Sequence, residues 1–453
     1  MLIMKPIPEN VFRSADVNKI LIKALESVDP KMCVEKILKT NTNSILIESH
    51  EMKLIKINKI YILGVGKAVL PMALAVSDAL GGLINEGVLI AKHSDLGIKS
   101  KLNKRIRVIK GSHPIPTKKS IEATRKLLEM LEKTTPDDLV IGLVSGGGSA
   151  LMTYPAEEIG LNGLQNVTSL LLKCGATIEE MNTIRKHLDQ VKGGGLLKHI
   201  YPAKSIHLIL SDVLGDPLSM IASGPTSSDP TTYNNCLEII QKYGIKGQLD
   251  NKVMSYLMNG SAGLNEETIK DGNPLLLDHK NLIIGSLSIA AGAACDQAKR
   301  AGYDAKILTT SLRGEARVVG AELANKLVKL ANQKKKSDKP TCLIAGGETT
   351  VTVKGSGKGG RNQELALSAA QVLRDIKDCA LISFATDGED GPTDAAGGFV
   401  NGATLATGIK KNLNCQDFLD NNNAYEYLNK VGGLIKTGPT GTNVNDLVLM
   451  FAF

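Results

Sequence analysis

Short apolar runs alternate with amphipathic stretches of helical periodicity along most of this chain, and this alternation is what most restricts its fold. Residues 60–63 predict a strand, and residues 68–80 predict the helix that follows it. Residues 139–144 and 206–210 predict further buried strands. Strands that alternate with helices pair into parallel sheets covered on both faces. We therefore expect an α/β fold with mostly parallel sheets in three α/β/α layers.

The alternation weakens between residues 246 and 280, where Asn, Gly and Asp are frequent, and it resumes near residue 281. A chain of 453 residues is long enough for two or three domains. We predict an N-terminal domain over 1–245, a linker region over 246–280 and a C-terminal α/β domain over 281–453. Because ligands of such sheets bind beyond the carboxyl ends of the strands, we expect a cleft between the domains, lined by loops from both.

Composition excludes some partners. The chain has nine Tyr, six Phe and no Trp, so it has few aromatic side chains for stacking nucleic-acid bases. Its formal net charge of +8 is a mild excess over this length. We expect no nucleic-acid partner, and the charge suits a small anionic ligand.

The cysteines and the apolar runs indicate the compartment. Seven scattered cysteines form no CxxC motif, which argues against a disulfide framework or a zinc site and favours a reducing compartment. Residues 1–8 show no apolar core of a signal peptide, and no run approaches the roughly 18 apolar residues of a membrane helix. The sequence predicts a cytoplasmic protein with no membrane partner.

Two glycine-rich loops follow predicted strands. The first contains Gly64, Gly66 and Lys67, and it suits an anion held by backbone N–H groups and an ammonium. Its spacing matches neither a Walker A loop nor a complete dinucleotide fingerprint. The second is predicted to cradle phosphate and comprises Ser145, Gly146, Gly147, Gly148 and Ser149. For both loops, a tight structural turn is the alternative.

A third loop satisfies GxGxxG at residues 355–360, with a predicted strand before it and a helix after it. This spacing is also the dinucleotide fingerprint, whose ribose-binding acid is expected about 20 residues further on. Asp375 and Asp378 lie at about that distance but precede the next predicted strand, and Asp387, at the end of that strand, is later than expected. Lys358 and Arg361 instead suit a phosphate or a carboxylate.

Acidic side chains follow two other predicted strands. Asp212 and Asp216 lie in one loop, and Asp387 begins an acidic loop over 386–394. These carboxylates can hold Mg²⁺ or accept a proton, or they can cap their own loops. The sequence leaves these roles open.

Taken together, eight segments in one order resemble the two-domain glycerate kinases with a C-terminal MOFRL domain. Their sequences here are LGVGKA, SHPIPT, LVSGGGSALM, IRKHLDQVKGGGL, LSDVLGDPLSMIASGPTSSDP, GGETTVTVKGSGKGGRNQE, TDGEDGPTDAAGG and TGPTGTNVNDL. They run from about residue 60 to residue 447 and so cover most of the chain. One departure is Thr117, where an aspartate is expected after the His-Pro-x-Pro run.

The resemblance implies a kinase that uses ATP and Mg²⁺ to phosphorylate D-glycerate at its 2-hydroxyl. It makes 1–245 a Rossmann-like domain and places the MOFRL domain at about 340–450. Lys67 and Arg361 are the residues that it implies as catalytic. Lys67 would hold the nucleotide phosphates or the moving phosphoryl group, and Arg361 the glycerate carboxylate or the phosphoryl oxygens. Candidates for substrate or metal binding are Asp212, Asp216, Glu348, Asp387 and Asn362, and the Mg²⁺ ligands are unknown.

Two other functions compete with this one. An NAD(P)H-dependent hydroxypyruvate reductase would use a similar pocket, because its substrate and glycerate differ by one hydride. A non-enzymatic sensor would bind ligand without turnover. The sequence does not distinguish the 2- from the 3-hydroxyl, and it leaves the oligomeric state open, with a homodimer among the alternatives.

Overall fold

The computed structural model describes residues 13–92, 96–335 and 338–453. Residues 1–8, on which the signal-peptide prediction rests, lie outside the described residues. Strands β1 to β15 are Leu38–Thr40, Ser44–Ile47, His50–Lys53, Ile60–Val65, Ile84–Ala91, Ile106–Lys110, Leu139–Val144, Lys204–Leu210, His279–Gly285, Asp304–Leu312, Thr341–Gly347, Cys379–Ala385, Gly397–Asn401, Leu434–Ile435 and Asp446–Ala452.

Helices α1 to α17 are Ser14–Glu26, Pro30–Ile37, Val69–Leu80, Leu96–Lys99, Lys118–Leu131, Gly148–Leu151, Gly160–Lys173, Ile178–His187, Gly195–Ile200, Tyr233–Lys242, Asn251–Ser261, Leu287–Arg300, Ala316–Gln333, Arg361–Val372, Thr404–Lys410, Cys415–Asp420 and Ala424–Val431. Within the described ranges, none of these helices is both long and apolar enough to cross a membrane.

The chain divides into two compact units. The first unit contains Pro30–Ser211 and Asp216–Ile284, and the second contains the chain up to Asp29, Asp212–Gly215 and Gly285–Phe453. The division differs from the predicted boundaries at three places: the chain up to Asp29 and Asp212–Gly215 belong to the second unit, and the predicted linker belongs to the first. Helix α1 packs against α12 of the second unit, and α11, inside the predicted linker, buries Val253 and Leu257 in an apolar core of the first unit. These apolar faces assign each segment to the unit that covers it.

The sheet of the first unit has the strand order β6-β5-β4-β7-β8-β9. The pairs β6–β5, β5–β4, β4–β7 and β7–β8 are all parallel, and helices cover both sides. This confirms the predicted α/β fold. The chain leaves β4 toward β5 and β6 and returns to the other side at β7, so the strand order reverses between β4 and β7. Ligands of open α/β sheets bind beside such a reversal.

The sheet of the second unit is mixed rather than mostly parallel. Its order is β10-β11-β15-β12-β13-β14. Strands β10 and β11 are parallel, whereas β15 runs antiparallel to both β11 and β12, and β13 runs antiparallel to β12 and β14. The apolar pattern of a buried strand is the same in either direction, so the sequence does not show this difference.

Two further elements differ from the predicted pattern. Strands β1 to β3 form a small antiparallel sheet that the pattern did not predict. Residues 349–354, predicted as the strand before the third glycine loop, are not a strand: Thr350 makes only an isolated bridge with Glu315. The third glycine loop therefore lacks the strand that a dinucleotide-binding unit requires.

Candidate functional site

The first glycine loop connects β4 to α3, and its backbone is held by the protein itself. Gly66 N–H donates to the Ile90 carbonyl at 3.3 Å, and Lys67 N–H donates to the Gly146 carbonyl at 2.9 Å. Gly66 has a φ of 131°, and a Cβ there would collide with Ser145. Glycine is thus required for close approach to the second loop. The Lys67 side chain is exposed, and its ammonium contacts no acceptor in the described part of the chain.

Ser145 joins the two loops. Its side chain is buried, and its Oγ accepts the Ala68 N–H at 3.0 Å. Ser145 N–H donates to the Val65 carbonyl at 3.0 Å. The hydroxyl that was predicted to bind phosphate is therefore engaged in fixing the first loop against the second.

The second loop presents a row of free backbone donors. Among the described residues, the N–H groups of residues 146–149 reach no acceptor. Gly147 has a φ of 81°, a conformation that glycine adopts readily. Successive N–H groups in such a turn form an anion-binding concavity. This geometry supports the predicted phosphate cradle at residues 146–149, whereas Gly64 and Gly66 contribute the fit between the loops rather than free donors.

His113 lies beside this cradle. A Cβ added to Gly147 would sit 3.0 Å from His113 Cδ2 and 3.3 Å from Lys67 Cε, so both side chains border Gly147. Burial lowers the pKa of His113, and the positive charges of Lys67 and Lys92 lower it further. His113 is therefore a neutral imidazole next to the Lys67 ammonium near neutral pH.

The structure also accounts for Thr117, the departure from the family pattern. Thr117 is the N-cap of α5, and its side chain accepts the Lys119 N–H at 3.2 Å. Threonine and aspartate are both favoured at this position because each supplies a short side-chain oxygen. The loop that carries His113 thus keeps its helix cap without the aspartate.

The Ser149 side chain is linked by hydrogen bonds to two other polar side chains, and the sequence did not predict these contacts. Its Oγ lies 2.7 Å from the Oγ of Ser223, which lies 3.4 Å from Asn182 Oδ1 on α8. Ala222 and Ser223 have φ of 50° and 63°, a strained conformation for residues other than glycine. Gly148 leaves room for this turn, since a Cβ there would lie 2.7 Å from the Ala222 Cβ. Ser223 lies in the LSDVLGDPLSMIASGPTSSDP segment that carried the resemblance, but its contact with Ser149 could not be predicted from the sequence.

In the second unit, Arg361 is the first residue of α14 and is held by two carboxylates. Its Nε and Nη2 donate to Asp446 Oδ2 and Oδ1 at 2.6 and 3.1 Å, and its Nη1 donates to Glu348 Oε1 at 2.8 Å. Although burial disfavours the charged form, these carboxylates raise the pKa of Arg361. Burial raises the pKa of Asp446 to about 6. The planar edge that was predicted to grip a ligand carboxylate is occupied by Asp446.

The third glycine loop uses its backbone donors internally. The N–H groups of residues 354 to 358 all donate to the turn at residues 421–423, at 2.7 to 3.0 Å. The Lys358 ammonium lies 4.4 Å from the centre of the Tyr425 ring. These five N–H groups are not available to a pyrophosphate, and the loop also lacks the preceding strand. Both observations argue against the dinucleotide fingerprint.

Asn362 and Asp387 have structural partners. Asn362 is buried, and both its backbone N–H and its Nδ2 donate to Asp390 Oδ1, at 3.1 and 3.3 Å. Asp390 also accepts the Gln363 N–H at 2.9 Å, so it caps α14 from the acidic loop. Asp387 accepts the Glu389 N–H at 3.1 Å. Part of the acidic loop therefore holds its own turn and the helix that carries Arg361.

The other acidic candidates are Asp212, Asp216 and Glu348, and the hydrogen bonds described below do not join them to one another. Asn445 Nδ2 donates to the carbonyl of Asp212 at 3.0 Å, and Asp216 has a φ of 55°. Glu348 is half exposed and uses only Oε1 for Arg361. In the described ranges, no three His, Cys, Asp or Glu side chains converge as metal ligands. Asp446, which sequence reasoning missed, lies in the TGPTGTNVNDL segment that carried the resemblance.

Comparison with known proteins places the chain among kinases. Residues 16–258 match the family model described as "Domain of unknown function (DUF4147)", and residues 341–446 match the MOFRL family. A glycerate 2-kinase of Pyrococcus horikoshii is 42% identical over 95% of both chains. A D-glycerate 2-kinase of Thermotoga maritima is 40% identical over 95% of this chain and 96% of that protein.

Solved structures agree with these relatives. The crystal structure of the Thermotoga maritima glycerate kinase has a TM-score of 0.84 and 39% identity, and the match covers 97% of this chain and 99% of that one. A crystal structure of a Pyrococcus horikoshii OT3 protein has a TM-score of 0.86 and 41% identity, with 97% and 98% covered.

Proposed function

This chain belongs to the glycerate kinase family, and we propose that it transfers the γ-phosphoryl group of ATP to the 2-hydroxyl of D-glycerate, with Mg²⁺ as the metal. One observation carries the proposal: the Lys67 side chain, whose ammonium contacts no acceptor among the described residues, borders Gly147 in the row of free backbone N–H groups at 146–149. Phosphoryl transfer depends mainly on positioning and charge neutralisation, and this arrangement supplies both.

Lys67 and the N–H row act on the phosphates. The two loops follow β4 and β7, where the strand order reverses, and Ser145 fixes one against the other. The ammonium is therefore attached to a rigid backbone while its own atoms stay free. Such preorganised donors stabilise the charge of a transferred phosphoryl group without rearrangement during the reaction.

We also propose that Arg361, in the second unit, is a catalytic residue that acts through its own positive charge. Three of its five N–H groups bind Asp446 and Glu348, so one N–H on each terminal nitrogen stays available. Those two donors suit the oxygens of the phosphoryl group. The glycerate carboxylate then needs another partner, because Asp446 already occupies the bidentate edge.

The residues present are compatible with Mg²⁺ brought by the nucleotide. Magnesium in kinases is held by one or two carboxylates together with substrate phosphates, so it requires no closed cluster of protein ligands. Glu348 would be such a ligand, because its Oε2 is not hydrogen-bonded to any described residue and its side chain is half exposed. The metal, when bound, neutralises phosphate charge.

A thermal-shift titration tests the cofactor. A ligand that binds the folded state raises the melting temperature, so Mg-ATP is expected to stabilise the protein and NADH is not. ADP release is expected only when D-glycerate is present. Stabilisation by NADH with none by nucleotide would favour the reductase, which none of the observations above supports.

We further infer a cytoplasmic location. Among the described residues no cysteine forms a disulfide, and six of the seven are buried, as in proteins of reducing compartments. A homodimer stays a prediction that light scattering of the purified protein tests.

A further inference from the structure

The cationic residues around α8 fall into two groups. Lys186 pairs with Asp229 at 2.5 Å, and Lys192 pairs with Asp189 at 2.9 Å. Buried charges are normally neutralised in this way. Arg185, in the same segment, is the exception.

Arg185 is a partly buried cation without an anion. Its Nε donates to Thr168 Oγ1 at 3.3 Å, and in the described part of the chain it contacts no carboxylate. Burial lowers the pKa of Arg185, and no negative group opposes this. The terminal nitrogens of Arg185 are not buried, so the four other N–H donors of the guanidinium are accessible to a ligand.

One series of contacts connects the helix of Arg185 to the phosphate cradle. Asn182 lies three residues before Arg185 on α8, so the two side chains share a face. Asn182 is linked to Ser223, and Ser223 to Ser149 in the second glycine loop.

A second series returns to the same loop by another way. Thr168, the partner of Arg185, lies on one face of α7 with Gln165, whose Nε2 donates to the Pro116 carbonyl at 2.7 Å. Pro116 belongs to the loop of His113, and His113 borders Gly147 together with Lys67. Both series of contacts therefore run within the first unit from the surroundings of Arg185 to the second glycine loop.

Resting on the kinase function proposed above, we propose that Arg185 binds the carboxylate of the glycerate substrate. A carboxylate is planar, and a guanidinium can meet it with two parallel N–H···O bonds, which an ammonium cannot do. The phosphates already have Lys67 and the N–H row, and the bidentate edge of Arg361 is taken by Asp446. Arg185 supplies such a fork in the same unit as the phosphate cradle, and it makes the site selective for hydroxy acids over neutral polyols.

Steady-state kinetics of Arg185→Met test this assignment, with Arg125→Met on the exposed face of α5 as the matched control. We expect the KM for D-glycerate to rise roughly a hundredfold, while the KM for ATP stays within about twofold. Arg185→Lys keeps the charge and should recover only part of the affinity. Since Arg185 has no internal ion pair, the melting temperature should not fall. If Arg185→Met does not fold, Arg185→Lys still tests the assignment, with a smaller rise in the KM for D-glycerate expected.

The ratio of the activities with D-glycerate and with glycerol distinguishes carboxylate binding from a merely structural role. Glycerol has hydroxyls and no carboxylate, so a structural defect would lower both activities alike. The preference for D-glycerate over glycerol should shrink by the same factor in Arg185→Met. Added guanidinium ion at millimolar concentration should restore part of the glycerate activity to Arg185→Ala. Titration calorimetry with D-glycerate alone should show the same weakening without turnover.

The outcomes separate this inference from the function on which it rests. If the wild-type protein phosphorylates D-glycerate and the variants keep its KM, the assignment of Arg185 is wrong and the kinase stands. If the KM for ATP rises instead, Arg185 is a phosphate ligand and the inference is overturned. If the wild-type protein neither binds nor phosphorylates D-glycerate, the proposed function fails, and the inference with it.

Discussion

Arg361 and Asp446 form a bidentate pair that joins the first residue of α14 to the first residue of β15, with Nε–Oδ2 at 2.6 Å and Nη2–Oδ1 at 3.1 Å. Asp446 is buried, whereas the Arg361 side chain is 31% exposed. The carboxylate thus fixes the plane of the guanidinium from inside the protein. The side chain keeps partial exposure while it is held in this way, so Arg361 is oriented before any ligand arrives.

Arg361→Lys is expected to lower kcat/KM roughly a hundredfold, or about 2.7 kcal/mol of transition-state stabilisation. A lysine keeps the charge but cannot bind Asp446 through two parallel bonds and Glu348 as well. Lys358→Ala, in the same loop, should cost much less, because its ammonium only covers the Tyr425 ring. Melting curves confirm that both variants fold. A crippled Lys358→Ala beside a nearly normal Arg361→Lys would show that the loop has been misassigned.

Lys67→Met should reduce kcat by at least about a hundredfold without lowering the melting temperature. The ammonium has no internal partner to lose, so only interactions with the phosphates disappear. Lys59→Met, which removes another exposed ammonium of the same unit, is the control and should behave like the wild type. Equal activities of the two variants would remove Lys67 from the mechanism.

The two serines of the second loop should respond differently. Ser145→Ala leaves the Ala68 N–H without its acceptor in a buried place, which should lower the free energy of unfolding by about 1–3 kcal/mol and also reduce activity. Ser149→Ala removes a hydroxyl from a partly exposed pair and should cost less stability. Urea unfolding of both variants checks the order, and a larger loss for Ser149→Ala would contradict it.

A buried histidine makes the stability depend on pH. Burial, together with the nearby His279, lowers the pKa of His207 to about 3. The unfolded chain binds a proton below about pH 6.5 and the folded chain does not, so stability falls as the pH falls from about 6.5 toward 3.

At pH 5 this single group is expected to remove about 2 kcal/mol relative to neutral pH. His207→Phe should lose less stability than the wild type between pH 7 and pH 5, because the other histidines titrate in both. Urea denaturation at the two pH values measures the difference. Identical losses would mean that His207 is not a buried neutral group.

Much of the fold could be predicted because apolar runs of four to seven residues next to amphipathic helices restrict the first unit to a parallel sheet. The direction of β15 could not be predicted, since the pattern of a doubly buried strand is symmetric. Nor could the placement of α1 and α11, whose apolar faces do not reveal which core receives them.

The candidate site was predictable where the backbone needs glycine. Gly66 and Gly147 have positive φ beside the proposed phosphate cradle, and the glycine clusters revealed both loops. The partners of Arg361 and the isolation of Arg185 depend on contacts between residues far apart in the chain. The sequence shows that a cationic side chain is present, but it does not show whether a carboxylate from a distant part of the chain neutralises its charge.

The most direct test of the whole account is phosphorus NMR of the reaction of the wild-type protein with D-glycerate, ATP and Mg²⁺. We predict one new phosphomonoester, 2-phospho-D-glycerate, formed together with ADP and absent when Lys67→Met replaces the wild type. Formation of 3-phosphoglycerate would contradict the proposed regiochemistry, and a spectrum with no new phosphomonoester would contradict the kinase itself.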